Sequence, residues 1–223
     1  MTKNLIDDGF RADLVSKAFF DGILEIPIIE KPEKIVIPEG IVPFSLRERD
    51  KEHKCFICFY EHDIRFSDCL TAADNYVEEL SEYPGIISPD CSLYIDMPLC
   101  LQIANVYMNR AIGHYFQSKG MYVVPNIRWG DESTYTTIEL PEKVAFLGAP
   151  KRSIVSVGTY GCVKSKEAKM YFREGLTAMI DELEPEVVLV YGSMPRYVFE
   201  GLENRTRFVN YPDWITYKKA GGR

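Results

Sequence analysis

Short apolar runs, many of them β-branched, alternate with longer segments of helical periodicity from residue 54 onward. Apolar runs without polar alternation are typical of parallel strands covered on both faces. Their alternation with helical segments indicates βαβ units. The runs that predict strands are CFICFY (55–60), GIIS (85–88), MYVVPNI (121–127), SIVSVG (153–158), EVVLVYG (186–192) and RFVNY (207–211).

Three helices are predicted between these runs. Ser67 is the expected cap of the first, whose apolar stripe leads towards Pro84. The second starts after Asp96 and Pro98, and Ser165 is the expected cap of the third. Each helix is followed directly by a strand, and right-handed crossovers of this kind build a mainly parallel sheet.

The strand count leaves two α/β architectures open. With residues 41–44 as a further strand, the sheet has about six to seven strands, fewer than the eight of a complete (β/α) barrel. We therefore predict an open or incomplete barrel-like sheet, with a doubly wound, Rossmann-like sheet as the alternative.

The first fifty residues differ from the rest of the chain. An amphipathic stretch around residues 10–20 predicts a short helix, and four prolines then interrupt a β-branched segment at 26–44. Proline removes backbone donors and fixes φ, so this segment is predicted to be an extended arm packed on the body. The expected organisation is a helix and arm over residues 1–50 and a single α/β domain over 51–223.

Charge narrows the classes of partner. The chain of 223 residues has 26 Lys and Arg against 33 Asp and Glu, a net charge of −7. A general nucleic-acid binder needs clustered basic residues, so nucleic acid is an unlikely partner.

The longest stretch without charged residues, 97–109, is too short to span a bilayer. Because acidic residues stand where a signal peptide would be apolar, we expect a cytoplasmic chain without a membrane partner and with reduced thiols.

The loops after the strands carry the candidate chemistry, because ligands bind beyond the carboxyl ends of parallel strands. Asn126, Arg128 and Trp129 offer an amide, a guanidinium for phosphate or carboxylate, and a face for stacking. This set favours an anionic or nucleotide-like ligand. The structural alternative is that Trp129 packs as a lid on the core and that Arg128 pairs with Asp90 or Asp131.

Glycines follow two of the predicted strands. Gly158, Thr159, Tyr160 and Gly161 lie between a strand and a capped helix, where backbone N–H groups can point at an anion. The spacing matches neither the P-loop nor the dinucleotide-binding pattern, and tight-turn geometry alone is the more common explanation of such glycines. Gly192, which follows Tyr191 and precedes Ser193 and Pro195, repeats the arrangement.

Asp90 is the preferred acid or base, because it directly follows a predicted strand and Pro89. The candidate catalytic residues are therefore Asp90, Asn126 and Arg128. Cys162 lies near the start of a helix, but the sequence brings no histidine within its reach.

A zinc site is not predicted, although His53, Cys55, Cys58 and His62 have a superficially suitable spacing. They lie on or beside a predicted strand, where positions three apart point to opposite faces. The expected metal is none, and the sequence identifies no cofactor.

Three segments carry a resemblance to a known family. PDCSLYIDMPLCLQIANVYMNRAIGHYFQSKGMYVVPNIRWGD (89–131), VSVGTYGC (155–162) and VVLVYGS (187–193) resemble an uncharacterised bacterial and phage family, domain-of-unknown-function family 4417. The resemblance spans about residues 40–215 and includes Pro89, Asp90, Ser92 and Trp129. Cys91 departs from it, since members often have an aromatic residue there. The resemblance implies a phage or mobile-element setting and no particular activity.

Two hypotheses about function follow. The first is an intracellular α/β protein that binds a small anionic ligand, nucleotide- or phosphate-like, at the carboxyl ends of its strands and acts as a hydrolase or transferase. The alternative is a phage or mobile-element accessory or inhibitor protein that acts through a protein partner. The arm of residues 26–44 and Trp214 are then its contact candidates. DNA processing, a third possibility, is disfavoured by the charge.

Overall fold

The computed structural model describes residues 11–219. Its strands are β1 (Phe20–Asp21), β2 (Ile26–Pro27), β3 (Ile41–Pro43), β4 (Phe56–Cys58), β5 (Ile86–Ile87), β6 (Val123–Val124), β7 (Ile154–Gly158), β8 (Val187–Tyr191) and β9 (Arg207–Tyr211). Its α-helices are α1 (Ser67–Thr71), α2 (Val77–Leu80), α3 (Leu99–Ser118), α4 (Glu132–Tyr135), α5 (Lys166–Leu183), α6 (Arg196–Phe199) and α7 (Trp214–Lys219). Five 3-10 turns lie at Ala12–Val15, Phe44–Arg49, Asp63–Arg65, Ala73–Tyr76 and Val144–Phe146.

The strands from β3 onward form two parallel sheets. One has the order β3-β4-β5-β6 and the other the order β7-β8-β9, while β1 and β2 form a separate antiparallel pair. Every run from which the sequence predicts a strand contains one, and the fold is mainly parallel α/β as expected. Strands that neighbour each other in sequence are neighbours in each sheet, without the reversal of order that a doubly wound sheet requires.

A single sheet of six to seven strands is not confirmed. The two sheets meet at one parallel bridge between Asn126 and Ser156. Around it, the Ile127 N–H donates to the Ser156 carbonyl at 2.8 Å, and the Ser156 N–H donates to the Pro125 carbonyl at 2.9 Å. The strands break here because β6 pairs over only two residues before Pro125, which has no N–H to donate.

Apolar side chains from both sheets share one buried cluster. It includes Phe56 and Val124 from the first sheet and Ile154, Leu189 and Tyr211 from the second. The opposite faces are covered by helices, with α3 in the cluster beside the first sheet and α5 in the cluster beside the second. The sheets are therefore apolar on both sides, in keeping with their continuous hydrophobic runs.

The two long helices match the sequence pattern and the first predicted helix does not. The Ser165 hydroxyl accepts a hydrogen bond from the Ala168 N–H and caps α5. The predicted first helix is divided into α1, a 3-10 turn and α2. Ser67 does not cap it, because its hydroxyl donates backwards to the Ile64 carbonyl.

The amino-terminal arm is held along its length. Ile26 and Ile29 are fully buried, and β3, which the sequence assigns to the arm, is an edge strand of the first sheet. Within the expected helix at residues 10–20, the described part forms only the 3-10 turn Ala12–Val15, and Phe10 lies outside the described residues. Within residues 11–219, no helix is long and apolar enough to cross a membrane.

Candidate functional site

The carboxyl ends of the parallel strands open onto one cleft of about 950 Å³. The residues that follow β4, β5, β6, β7 and β9 all contribute to its lining, and Pro43 and Tyr191, which end β3 and β8, also line it. Parallel strands bring their carboxyl ends to the same edge, so loops distant in sequence meet here. The NIRWGD loop and the GTYGC loop, which lie on different sheets, therefore face the same cavity.

The floor of the cleft holds an ion pair between Asp90 and Arg128. One carboxylate oxygen of Asp90 accepts from the Arg128 guanidinium at 2.6 Å, and the other accepts from the Asn126 amide at 2.8 Å. The Asp90 side chain is 6% exposed and that of Arg128 is 20% exposed. The three candidate catalytic residues are thus joined through Asp90, and Asn126 is fully buried. The pair of Arg128 with Asp90 is one of the two that the structural alternative predicts.

Burial and pairing act against each other at this ion pair. Burial raises the pKa of Asp90, and the opposing effects of Arg128 and Asn126 do not cancel it. Burial lowers the pKa of Arg128, but Asp90 and Cys162 more than compensate, so the pKa lies above its ordinary value. The guanidinium therefore stays charged, while the carboxyl is poised closer to neutral pH than an ordinary aspartate.

Arg128 also contacts the glycine loop. Its Nη1 lies 2.8 Å from the Cys162 sulfur, and its Nε is buried without a hydrogen-bond partner among residues 11–219. An unsatisfied buried donor on a cation costs free energy, so the position of Nε destabilises the arrangement. Arg128 thereby joins the end of the first sheet to the loop that follows β7.

A deeper polar network fixes the two chain segments that carry the ion pair. The Arg110 guanidinium donates to the Asn126 carbonyl at 2.8 Å and to the Asn109 side-chain oxygen at 2.6 Å. The Asn109 amide donates to the Pro89 carbonyl at 2.6 Å, and the Ser88 hydroxyl receives the Asn126 N–H at 2.8 Å. The backbone beside Asp90 and the backbone before Arg128 are therefore held by the same side chains.

The glycine loop only partly takes the expected place. Gly158, Tyr160 and Gly161 line the cleft, and Gly161 has a φ of +82° that favours glycine. Thr159 is buried, and its hydroxyl donates to the Ser193 carbonyl at 2.7 Å instead of facing a ligand. Gly192, with a φ of +113°, packs against Thr159 and does not reach the cleft.

Trp129 has the core position of the structural alternative. It is 8% exposed, and its ring centre lies 5.0 Å from that of Phe172. Gly175 on α5 makes room for the indole, because a Cβ there would lie 2.2 Å from Nε1. Trp129 still lines one wall of the cleft, but most of its surface is used in packing.

No metal centre is formed by the cysteine and histidine pattern. Cys58 is buried within β4, and burial raises the pKa of Cys55 to about 12. Among residues 11–219, no group of three or more His, Cys, Asp or Glu side chains is placed to hold a metal ion. Neutral, buried thiols of this kind behave as small apolar residues.

Several residues of the site were not assigned to it from the sequence. Asn109 and Arg110 are among the positions that carry the family resemblance, but no role in the site was predicted for them. They lie inside α3, where their polarity interrupts a buried face, and this interruption is the signal that marks them. Arg65 and Lys164 line the cleft, but the sequence favours a solvated turn for Arg65. Tyr94 also lines it, and nothing in its local pattern points to this position.

The fold and the site define an α/β protein with a polar-floored cleft at the carboxyl ends of its parallel strands. The family model described as Domain of unknown function (DUF4417) matches residues 18–212, so the chain belongs to that family. The match begins before the arm of residues 26–44, and it contains every strand of the two parallel sheets.

Two similar proteins come from mycobacteriophages. The chain is 31% identical to the Gene 1 protein of Mycobacterium phage L5 over 169 residues, which is 74% of this chain and 69% of that protein. It is 29% identical to the Gene 1 protein of Mycobacterium phage D29 over 136 residues, which is 61% of this chain and 48% of that protein. The chain therefore spans about half of the D29 protein. No solved structure matches the chain.

Proposed function

We propose that the chain binds a small anionic, phosphate- or nucleotide-like ligand in the cleft and transfers or hydrolyses part of it. The observation that carries the proposal is the buried pair of Asp90 and Arg128 on the cleft floor. A cavity of this volume, with an apolar lining and a few convergent polar groups, is typical of small-molecule sites. We also propose that the two sheets act together as one incomplete barrel that supports the loops around the cleft.

Lys164 supports an anionic ligand. It lines the cleft and is exposed at its rim, as is Arg65, which lies 3.9 Å from the Glu61 carboxylate. Two of the carboxylates in the lining are already occupied, since Glu61 accepts from the Ser45 N–H and Asp213 accepts from the N–H groups of the first turn of α7. Asp96 is the exposed exception. Phosphate oxygens match guanidinium and ammonium donors.

Asp90 is the proposed acid or base. Burial raises its pKa, so it takes up a proton more readily than an ordinary aspartate, and its place beside Arg128 puts it next to the anion. Arg128 lines the cleft and would supply the positive charge for the anion, while its Nη1 and Nη2 contact Cys162 and Asp90. The reaction class that follows is hydrolysis or group transfer at the bound ester.

Thermal-shift measurements with inorganic phosphate, pyrophosphate, ribose 5-phosphate and mononucleotides test the proposal. At least one of them should raise the melting temperature, because ligand binding to the folded state alone stabilises it. Lys164→Ala should weaken the shift, and Lys166→Ala, an exposed lysine two residues further on that does not line the cleft, should leave it unchanged. The absence of any shift with the parent protein contradicts the proposal.

The alternative of a protein-binding accessory factor stays a prediction. Its contact candidates are partly used inside the molecule, because Ile26, Ile29 and Phe44 of the arm are buried. Trp214 is half-buried, with its ring centre 5.6 Å from that of Tyr217. Copurification of a partner that is lost in Trp214→Ala, with an unchanged melting temperature, is the result that favours this alternative.

A further inference from the structure

Aromatic side chains are concentrated in the cleft. Eight of them line it, including both tryptophans of the chain: Tyr60, Tyr94, Trp129, Tyr160, Tyr171, Phe172, Tyr191 and Trp214. A site for a bare phosphate needs hydrogen-bond donors, and aromatic rings add nothing to its binding. The composition of the lining therefore carries information about the ligand beyond its charge.

The aromatic residues divide into a packed floor and an open mouth. Tyr60 and Tyr191 are stacked on each other on the floor, with ring centres 5.2 Å apart, and both are buried. Tyr94 and Tyr160 stand at the mouth and are 58% and 47% exposed. Ile95 and Ile215, which also line the cleft, are about equally exposed. The floor rings are already occupied, but the rings at the mouth have faces available for a ligand.

The two exposed tyrosines lie in loops that follow strands of different sheets. Tyr94 is in the segment between β5 and α3, and Tyr160 follows β7, two residues before Cys162 and four before Lys164. Tyr160 is thus placed close in sequence to Lys164, a donor that can hold a phosphate. Flat, π-bonded rings stack on tyrosine faces, and this stacking is independent of base identity.

On the basis of the anion site proposed above, we propose that the ligand is a free nucleoside phosphate. Its base stacks on Tyr94 and Tyr160 at the mouth, and its phosphate is held by Lys164 and Arg128 further in. The cavity of about 950 Å³ is large enough for a mononucleotide. The net charge of −7 disfavours a nucleic-acid strand, whose many phosphates require a basic surface.

Tryptophan fluorescence of the full chain measures this binding directly. Trp129 and Trp214 both line the cleft, so a ligand there changes the emission of the only two tryptophans. AMP and UMP should each bind about tenfold more tightly than ribose 5-phosphate, the factor expected for one stacked base. Adenosine, which lacks the phosphate, should bind more weakly than AMP.

Substitutions of the two tyrosines at the mouth of the cleft distinguish the nucleoside phosphate proposal from the anion-site proposal. Tyr160→Ala and Tyr94→Ala should each reduce the preference for AMP and leave the affinity for ribose 5-phosphate unchanged. Tyr197→Ala is the matched control, because Tyr197 is 53% exposed and does not line the cleft. Circular dichroism confirms that each variant is folded.

The possible outcomes are distinct. Equal binding of AMP and ribose 5-phosphate overturns the nucleoside phosphate and leaves the anion site intact. No binding of any phosphate compound overturns both. A single-stranded oligonucleotide that binds more tightly than AMP overturns the assignment to a free nucleotide.

Discussion

Asp90 shows how a single side chain is tuned by its surroundings. It has both a charged partner and an amide donor, yet its burial is the larger influence and raises its pKa. Breaking a buried pair leaves an uncompensated charge, so neither Asp90 nor Arg128 can be exchanged without a structural cost. Each test of the role of Asp90 should therefore measure both the activity and the free energy of unfolding of the variant.

The pH dependence of stability gives one such test. A carboxyl group with a raised pKa binds more protons in the folded than in the unfolded state, so its contribution to the free energy of unfolding falls as the pH rises. In Asp90→Asn this contribution is absent. The difference in the free energy of unfolding, parent minus variant, should therefore grow as the pH is lowered from about 7 to about 4. Urea denaturation at several pH values measures it, and a difference that shrinks would show that Arg128 dominates.

Gly175 is a second residue whose identity is explained by a close contact. Gly175→Ala improves helix propensity by about 1 kcal/mol, but the new Cβ would overlap the Trp129 indole. We expect a net loss of roughly 1–3 kcal/mol, the usual cost of overpacking. Lys169→Ala, on the same helix, is the control.

A double-mutant cycle identifies the cause. The loss from Gly175→Ala, measured by urea denaturation, should become smaller when Trp129 is replaced by Leu. An equal loss in both backgrounds would show that the indole is not responsible.

Among the elements, α3 does more than cover the first sheet. Its residues Asn109 and Arg110 point inwards and hold the ends of β5 and β6 in place. Within the part of the chain that the structure describes, Arg110 has no carboxylate partner within hydrogen-bond distance; it donates to carbonyl groups and to one amide oxygen. Burial accordingly lowers its pKa to about 10, which still leaves it charged at neutral pH.

Arg110→Lys tests the planar geometry of this contact. An ammonium group cannot reach all the carbonyls of Leu147, Ala145 and Asn126 at once, so we expect a loss of about 3 kcal/mol. Arg152→Lys is the control, because Arg152 is 73% exposed, and it should change stability by less than about 0.5 kcal/mol. A comparable, small effect of both substitutions in urea denaturation would contradict a clamping role for Arg110.

The elements also show what the sequence can and cannot predict. All seven parallel strands and the capped helix α5 follow from apolar runs and from Ser165, which are local signals. The division of the sheet at Pro125 and the inward contacts of Arg110 depend on groups distant in sequence. The prediction of one continuous first helix is wrong for a different reason. The Ser67 hydroxyl donates to the nearby Ile64 carbonyl, and this hydrogen bond competes with capping.

The same holds for the site. The meeting of Asp90, Asn126 and Arg128 follows from parallel topology alone, which brings strand ends to one edge. The inward orientation of the Thr159 side chain does not follow from topology, because it depends on a hydrogen bond to the Ser193 carbonyl in the loop after β8. Loop positions can thus be placed at the correct edge from sequence, but the direction of each side chain cannot.

At the scale of the whole molecule, the arm ties the amino-terminal region to both sheets. The Tyr122 hydroxyl, beside β6, receives the Val36 N–H at 3.0 Å. The Tyr211 hydroxyl, at the end of β9, donates to the Pro38 carbonyl at 2.7 Å. The arm therefore crosses from one sheet to the other and supports their relative position.

Limited trypsin digestion measures how tightly the arm is held. Replacing both Tyr122 and Tyr211 by Phe removes three hydrogen bonds, to Val36, Lys34 and Pro38, and should cost about 3 kcal/mol in total. Cleavage after the exposed Lys34 should then become faster than in the parent protein. Tyr197→Phe is the control, and unchanged cleavage in the double variant would show that apolar packing alone holds the arm.

The bridge between Asn126 and Ser156 ties the join between the sheets to the floor of the cleft. The backbone of Asn126 forms the bridge, and its side-chain amide donates to the Asp90 carboxylate. The Tyr60 hydroxyl, from the first sheet, contacts both Asn126 and the Ser156 hydroxyl of the second. A substitution at Asn126 therefore disturbs the seam of the fold and the ion pair together, and the two effects cannot be introduced one without the other.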